Sequence, residues 1–238
     1  MKIGSIKENL DQEKRIAITP EIIKKYKSLG LNIILPKQYG SHIGISDQEF
    51  INEGAEIKER EEDILKETDA VLQMNLIDND KFEKLKSNQF LIGVLNPYSN
   101  KDEIQKLIDK KINCFSLELL PRITRAQSMD ILSSQANLAG YKAVIDSFAY
   151  YQKAIPMMMT AAGTISAAKV LVVGAGVAGL QAIATAKRMG AIVYATDVRI
   201  ASKEQVESLG GKFLIVEGAE NLETEGGYAK EASEEFKQ

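Results

Sequence analysis

Four aliphatic residues, Val170 to Val173, empty directly into Gly174-Ala175-Gly176-Val177-Ala178-Gly179, and a chain can satisfy that pattern in very few ways. The run has the length and β-branched content of a fully buried parallel strand. Leu180, Ile183, Ala184 and Met189 then recur at helical spacing as far as Gly190, a helix stop, and Ile192 to Thr196 reads as a second strand ending at Asp197. Strand, glycine turn, helix and strand make a βαβ start with an acid at its end.

Each glycine has a chemical reason. Gly174 permits the tight turn, Gly176 lets the backbone approach a pyrophosphate, and Gly179 lets helix and strand pack closely. The helix N-terminus then offers free N–H groups and the positive end of its dipole to phosphates. Asp197 stands where an acid accepts hydrogen bonds from adenosine ribose hydroxyls, which disfavours the extra phosphate of NADP and makes NAD the expected cofactor. Arg199, two residues on, could pair with that phosphate, but Asp197 weighs more. The bland alternative is a glycine loop in an ordinary α/β protein. The candidate cofactor-binding residues here are Gly174, Ala175, Gly176, Val177, Gly179, Asp197, Val198 and Arg199.

The preceding chain alternates short apolar strands with amphipathic helices. Lys2–Ile6, Leu31–Leu35, Ala70–Asn75, Phe90–Leu95 and Asn113–Leu119 read as strands. Thr19-Pro20-Glu21 opens a helix that closes at Gly30, and Ser46-Asp47-Gln48-Glu49 is a capping box. Asp80–Lys86 and Lys101–Lys110 read as lysine-rich helices with solvated faces. The pattern predicts an α/β chain with two Rossmann-like, doubly wound parallel-sheet domains: residues 1–127, a linking helix 128–153, and a nucleotide domain 154–238. Lys203–Leu209 and Lys212–Val216 continue the second domain, followed by an acidic, glycine-rich stretch that reads as a mobile loop, and the second sheet reads as incomplete at Gln238.

Composition narrows the chemistry. A net charge of -3 over 238 residues without a basic block argues against nucleic acid or an anionic membrane surface as partner. The only cysteine, Cys114, reads as a buried small hydrophobe, and the only histidine, His42, as a structural loop residue; no metal site is expected. A strand from the first residues leaves no room for a targeting peptide, so a reducing cytoplasm is the expected compartment. Ala154 to Ala186 carries Lys169 as its sole charge, yet its glycines and Pro156 fit a Rossmann unit better than a membrane span.

From Pro121 the residues become small and polar. Thr124 with Gln127, or Ser128, could cap a helix on which Gln127, Asp130, Ser134, Asn137 and Tyr141 share one face, with Met129, Leu132, Ala136, Ala139 and Ala143 opposite. A polar helix edge and a ligand-facing stripe both fit this pattern, and the nucleotide site downstream raises the second to equal standing with the first.

These segments together carry a family resemblance. Arg15-Ile16-Ala17-Ile18-Thr19-Pro20, PRITRAQSMDILSSQANLAGY, GAGVAGLQAIATAKRMGA and GGYAKE resemble the NAD(H)-binding component of proton-translocating NAD(P) transhydrogenases, relatives of alanine dehydrogenase. The resemblance implies direct hydride transfer between NAD(H) on this chain and NADP(H) on a beta component, coupled by a membrane domain to proton translocation. It also implies a homodimer, peripheral on the cytoplasmic face of the inner membrane through its partners. Arg122, Gln127 and Asp130 match the family's catalytic loop, with Arg122 and Asp130 orienting the nicotinamide and Gln127 reaching toward the partner's nucleotide. Ser133 and Tyr141 lie nearby by the same resemblance, although periodicity favours Ser134; Tyr228, flanked by Gly227 and Ala229, matches a tyrosine that closes over the nucleotide.

Two other readings compete. An alanine dehydrogenase-like enzyme uses a lysine and a histidine to hold and protonate its keto acid, where this chain has Gln73-Met74-Asn75 and Leu95-Asn96. A nucleotide-binding module without chemistry of its own is the third possibility.

Overall fold

A computed structural model describes residues 1–121 and 123–215. The chain forms two compact units, Met1–Asp130 and a second that starts at Ile131.

The first unit runs β1 (Lys2–Gly4), α1 (Pro20–Ser28), β2 (Asn32–Pro36), α2 (Asp47–Asn52), β3 (Glu56–Lys58), α3 (Glu61–Glu67), β4 (Ala70–Asn75), β5 (Phe90–Val94), α4 (Lys101–Asp109) and β6 (Asn113–Ser116). Its six strands are all parallel, in the order β3-β2-β1-β4-β5-β6. The order reverses between β1 and β4, as in doubly wound folds. Side-chain alternation builds two cores from one sheet: Ile3, Ile33, Leu35 and Ala70 pack on one face with Ile18, Ile23 and Phe50, while Ile34, Val71 and Leu91 pack on the other with Ile64 and Leu107. Each fully buried aliphatic side chain contributes about 2 kcal/mol.

Local chemistry accounts for most of the expected starts and stops. Ser46 accepts from the Glu49 amide while Glu49 Oε2 receives the Ser46 N–H at 2.8 Å, the predicted capping box. Thr19 takes the N-cap position of α1 without a side-chain cap bond. The expected helix at Asp80–Lys86 is instead a 310 segment, Asn79–Lys84, and Leu117–Leu119 is a 310 turn, not the end of a strand. His42 donates its Nε2 proton to the Lys14 carbonyl at 2.8 Å, a loop-fastening role. Cys114 is half-buried against the core.

A buried polar chain ties the ends of β1 and β4 together. Tyr39 Oη receives the Ala17 and Ile18 N–H groups and donates to Ser5 Oγ at 2.7 Å; Ser5 donates to Gln73 Oε1, and Gln73 Nε2 donates to Glu8 Oε1 at 3.1 Å. Burial pushes the Tyr39 hydroxyl up to about 12. Burial also raises the Glu8 carboxyl, against the lowering effect of the Met74 and Asn75 N–H groups. A raised acid favours its protonated form in the folded state, so Glu8 lowers stability as pH climbs above 4.5. Glu8→Gln keeps the accepting oxygen, and the expected result is a urea stability that gains on the wild type's as pH rises through the carboxylate range, because the variant lacks the opposing contribution of Glu8. Parallel pH profiles of the two proteins would refute this.

The second unit runs α5 (Ile131–Tyr150), β7 (Met158–Thr160), β8 (Gly163–Ile165), β9 (Lys169–Val173), α6 (Val177–Arg188), β10 (Ile192–Thr196), α7 (Ser202–Ser208) and β11 (Lys212–Phe213). The parallel sheet has the order β11-β10-β9, and β7 pairs antiparallel with β8. Two expectations are corrected here. The linking helix begins at Ile131, because Thr124–Met129 forms a 310 segment and Asp130 leaves it with ψ 88°, so Gln127 and Asp130 do not share a helical face with Ser134, Asn137 and Tyr141. Nor is β9 buried on both faces: it is an edge strand of the described sheet, with Leu171 57% and Val173 79% exposed.

The buried stripe of α5 also differs from the expected one. Gly140 and Val144 are buried, and Phe148 packs on the same cluster as Ala182 and Ile183 of α6, whereas Met129, Leu132, Ala139 and Ala143 are exposed. Gly140 decides this, since a Cβ there would stand 2.0 Å from the Ala178 carbonyl oxygen. Only glycine admits so close a helix crossing.

Candidate functional site

The glycine turn grows out of the sheet. The Gly174 N–H still donates to Thr196 O at 2.8 Å, and its φ of +94° then turns the chain through the left-handed region. Gly176 becomes the N-cap of α6 with extended backbone. Gly179 lies one turn inside the helix, where a Cβ would sit 1.8 Å from Gly174 O. Helix and turn are therefore packed backbone to backbone.

Gly176 has a different reason to lack a side chain. Among the described residues, the one atom within 4 Å of its hypothetical Cβ is Arg199 Nη2 at 3.9 Å. Among the described residues the space in front of Gly176 is open, and the N–H groups of the first turn of α6, which have no acceptor within the helix, face outward from that end. An anion fits this cradle, and a side chain at Gly176 would enter it. Ala175 is buried and Val177 exposed.

Asp197 stands at the carboxyl end of β10 with its side chain 5% exposed. Its Oδ2 accepts the Ala175 N–H at 2.6 Å and Arg199 Nη2 at 2.9 Å; its Oδ1 accepts the Arg199 N–H at 2.8 Å and Nε at 2.9 Å. Burial raises the carboxyl, but the bonds from Arg199 and Ala175 outweigh it and hold the group below the usual carboxylate range. Asp197 is thus ionised, oriented and joined to the glycine turn. Sequence alone puts Asp197 and Arg199 close together without showing this fork, whose signal is the two-residue spacing that lets an arginine fold back on a strand-end acid. Val198 lies between them, half-buried.

In the first unit, Gln127 and Asp130 line the same hollow of about 160 Å³ with Leu120, Pro121, Ile123 and Ala126. Gln127 is exposed and Asp130 half-buried. On α5, Ser133 is half-buried and Tyr141 49% exposed, next to the close crossing at Gly140. Arg122, Gly227, Tyr228 and Ala229 lie outside the described residues. Among the described residues, no group of three His, Cys, Asp or Glu side chains could hold a metal, and no helix is long and apolar enough to cross a membrane.

Gln73 and Asn96 have structural roles that sequence reasoning does not reveal. Gln73 is buried, accepts from Ser5 and the Ile6 N–H, and donates to Glu8. Asn96 has φ +46°, and its N–H donates to Glu118 Oε1 at 2.6 Å.

Residues 4–139 match the family model described as alanine dehydrogenase/PNT, N-terminal domain, and residues 143–236 match its C-terminal domain. The chain is 48% identical over its full length to the first portion of the NAD(P) transhydrogenase alpha subunit of Rickettsia prowazekii, a protein of which it spans 63%. A solved transhydrogenase from Sinorhizobium meliloti superposes on 90% of the chain with a TM-score of 0.86 and 47% identity, and the chain covers 64% of it. An L-alanine dehydrogenase structure shares the fold at TM-score 0.78 and 21% identity, with 90% of this chain and 60% of that one covered.

Proposed function

Because the chain belongs to the alanine dehydrogenase/PNT family, we propose that it is the NAD(H)-binding component of a proton-translocating NAD(P) transhydrogenase. The observation that carries this reading is the βαβ turn with its open cradle at Gly176 and its oriented carboxylate at Asp197. The similarity to a transhydrogenase alpha subunit supports it.

The nicotinamide supplies the hydride chemistry when NAD(H) is bound. The chain's own residues hold and orient: the first turn of α6 takes the pyrophosphate, and Asp197 takes the adenosine ribose. Arg122 and Asp130 orient the nicotinamide end, with Ser133 and Tyr141 beside it, and Gln127 reaches toward NADP(H) on the beta component. Tyr228, with Gly227 and Ala229, closes over the nucleotide. None of these roles moves a proton, so the site needs position and dryness more than acid–base groups. A membrane domain on partner subunits couples the transfer to proton translocation, which places this chain peripherally on the cytoplasmic face of the inner membrane. Two copies form the working unit.

Alanine dehydrogenase activity is disfavoured because Gln73-Met74-Asn75 and Leu95-Asn96 stand around the places where such an enzyme needs a lysine and a histidine, and the Gln73 side chain is engaged in the fold itself. A hydride-transfer assay from NADPH to an NAD analogue, with and without an NADP-binding partner, tests the assignment. Transfer that requires the partner is the expected result; alanine-dependent NAD reduction, or no transfer with the partner present, overturns it. Gln127→Asn is expected to slow hydride transfer while leaving NADH affinity nearly unchanged. Equal losses in both would remove Gln127 from the bridging role.

A further inference from the structure

The geometry points to Arg199 as a built-in competitor for the nucleotide site: its guanidinium occupies the carboxylate that a ribose must use, and nucleotide binding has to open that fork. This inference rests on the nucleotide reading above.

A carboxylate offers about four lone-pair positions. At Asp197 all four are taken, two on Oδ1 by the Arg199 N–H and Nε, and two on Oδ2 by the Ala175 N–H and Arg199 Nη2. Two of these donors are backbone groups fixed by the turn, and the other two belong to the guanidinium. A sugar hydroxyl can therefore reach Asp197 only if the guanidinium gives way. Arg199 Nη2 is also the atom that faces the otherwise open side of Gly176, so the same group lies across the entrance to the phosphate cradle. Its side chain is 21% exposed, leaving solvent on one side into which it can swing.

The fork has a second consequence. While the fork is closed Asp197 holds the guanidinium, and a 2′-phosphorylated ribose lacks the hydroxyl pair with which NADH displaces it from the carboxylate. Arg199 thus sets affinity and selectivity through Asp197 without being the group that recognises the sugar.

The test is NADH titration, with NADPH as competitor, on wild-type chain, Arg199→Met, Arg199→Lys and Asp197→Asn/Arg199→Met. Methionine keeps the apolar stem and removes the fork; it is expected to tighten NADH binding by roughly two- to fivefold, the scale of one screened ion pair. Lysine, which keeps the charge but cannot fork, should fall between. In the double variant the tightening should disappear, because the competitor acts through the carboxylate. Weaker NADH binding by Arg199→Met would make Arg199 a direct nucleotide contact and overturn the proposal, as would unchanged affinity. Loss of NADPH binding alone would make it a phosphate receptor and also overturn it. If neither wild type nor any variant binds NADH, the nucleotide reading itself fails, an outcome distinct from the others. Thermal unfolding of each variant, read alongside, shows whether the second unit is intact.

Discussion

Gly179→Ala is expected to lower NADH affinity by roughly ten- to hundredfold, because moving the helix N-terminus loses hydrogen bonds to the charged pyrophosphate, worth about 1.5–3 kcal/mol. The added methyl would stand 1.8 Å from the Gly174 carbonyl oxygen, which belongs to the backbone of the turn and cannot rotate away. Either α6 slides along its axis or the turn opens, and both move the helix N-terminus off the cradle. Overpacking of this kind also costs stability, typically about 1–3 kcal/mol. Gly176→Ala separates the two effects. Its methyl meets open space, so it is expected to weaken NADH binding with little change in melting temperature. Titration and thermal melting of both variants check this; full NADH affinity in Gly179→Ala would contradict the packing argument.

Asp197→Ala is the second large effect. It removes the acceptor for the ribose hydroxyls and the group that ties the Ala175 amide to the end of β10. Losing hydrogen bonds to a charged partner costs about 1.5–3 kcal/mol, so NADH affinity should drop roughly ten- to hundredfold. The variant also releases Arg199, whose guanidinium then becomes available to a 2′-phosphate. Discrimination against NADPH is therefore expected to shrink along with NADH affinity. A competition titration reads both quantities, and unchanged NADH affinity would remove Asp197 from the ribose site.

The elements most legible in the sequence are those governed by local rules. The Ser46 capping box, the strand Ala70–Asn75 and the strand-turn-helix at Gly174 each depend on a few adjacent residues. β3 escapes such a reading because Glu56-Ile57-Lys58 is too short to show a period of two, and α3 because its seven residues carry mostly charge. The start of α5 is hidden for a different reason. Gln127 and Asp130 happen to fall in helical register with Ser134 and Tyr141, and only the backbone reveals that Asp130 breaks the run. Spacing alone cannot distinguish a 310 turn followed by a helix from one continuous helix.

At the site, residue types are legible and contacts are not. Gly174, Gly176, Gly179 and Asp197 follow from a strand running into a glycine turn with an acid at the end of the next strand. The Asp197–Arg199 fork and the Gly140 crossing require coordinates, because each depends on where a side chain or its absence meets a neighbour. Gln73 shows the same limit. In sequence it is one of three residues, Gln73-Met74-Asn75, around the place of a missing lysine, whereas in the fold it is a buried amide that joins β4 to the chain leaving β1.

A selective NAD(H) site on this chain is read out by fluorescence titration of the purified chain with NADH in competition with NADPH. Saturable NADH binding that NADPH at equal concentration fails to displace is the predicted result. Absence of saturable binding, or displacement by NADPH as readily as by NADH itself, would contradict it.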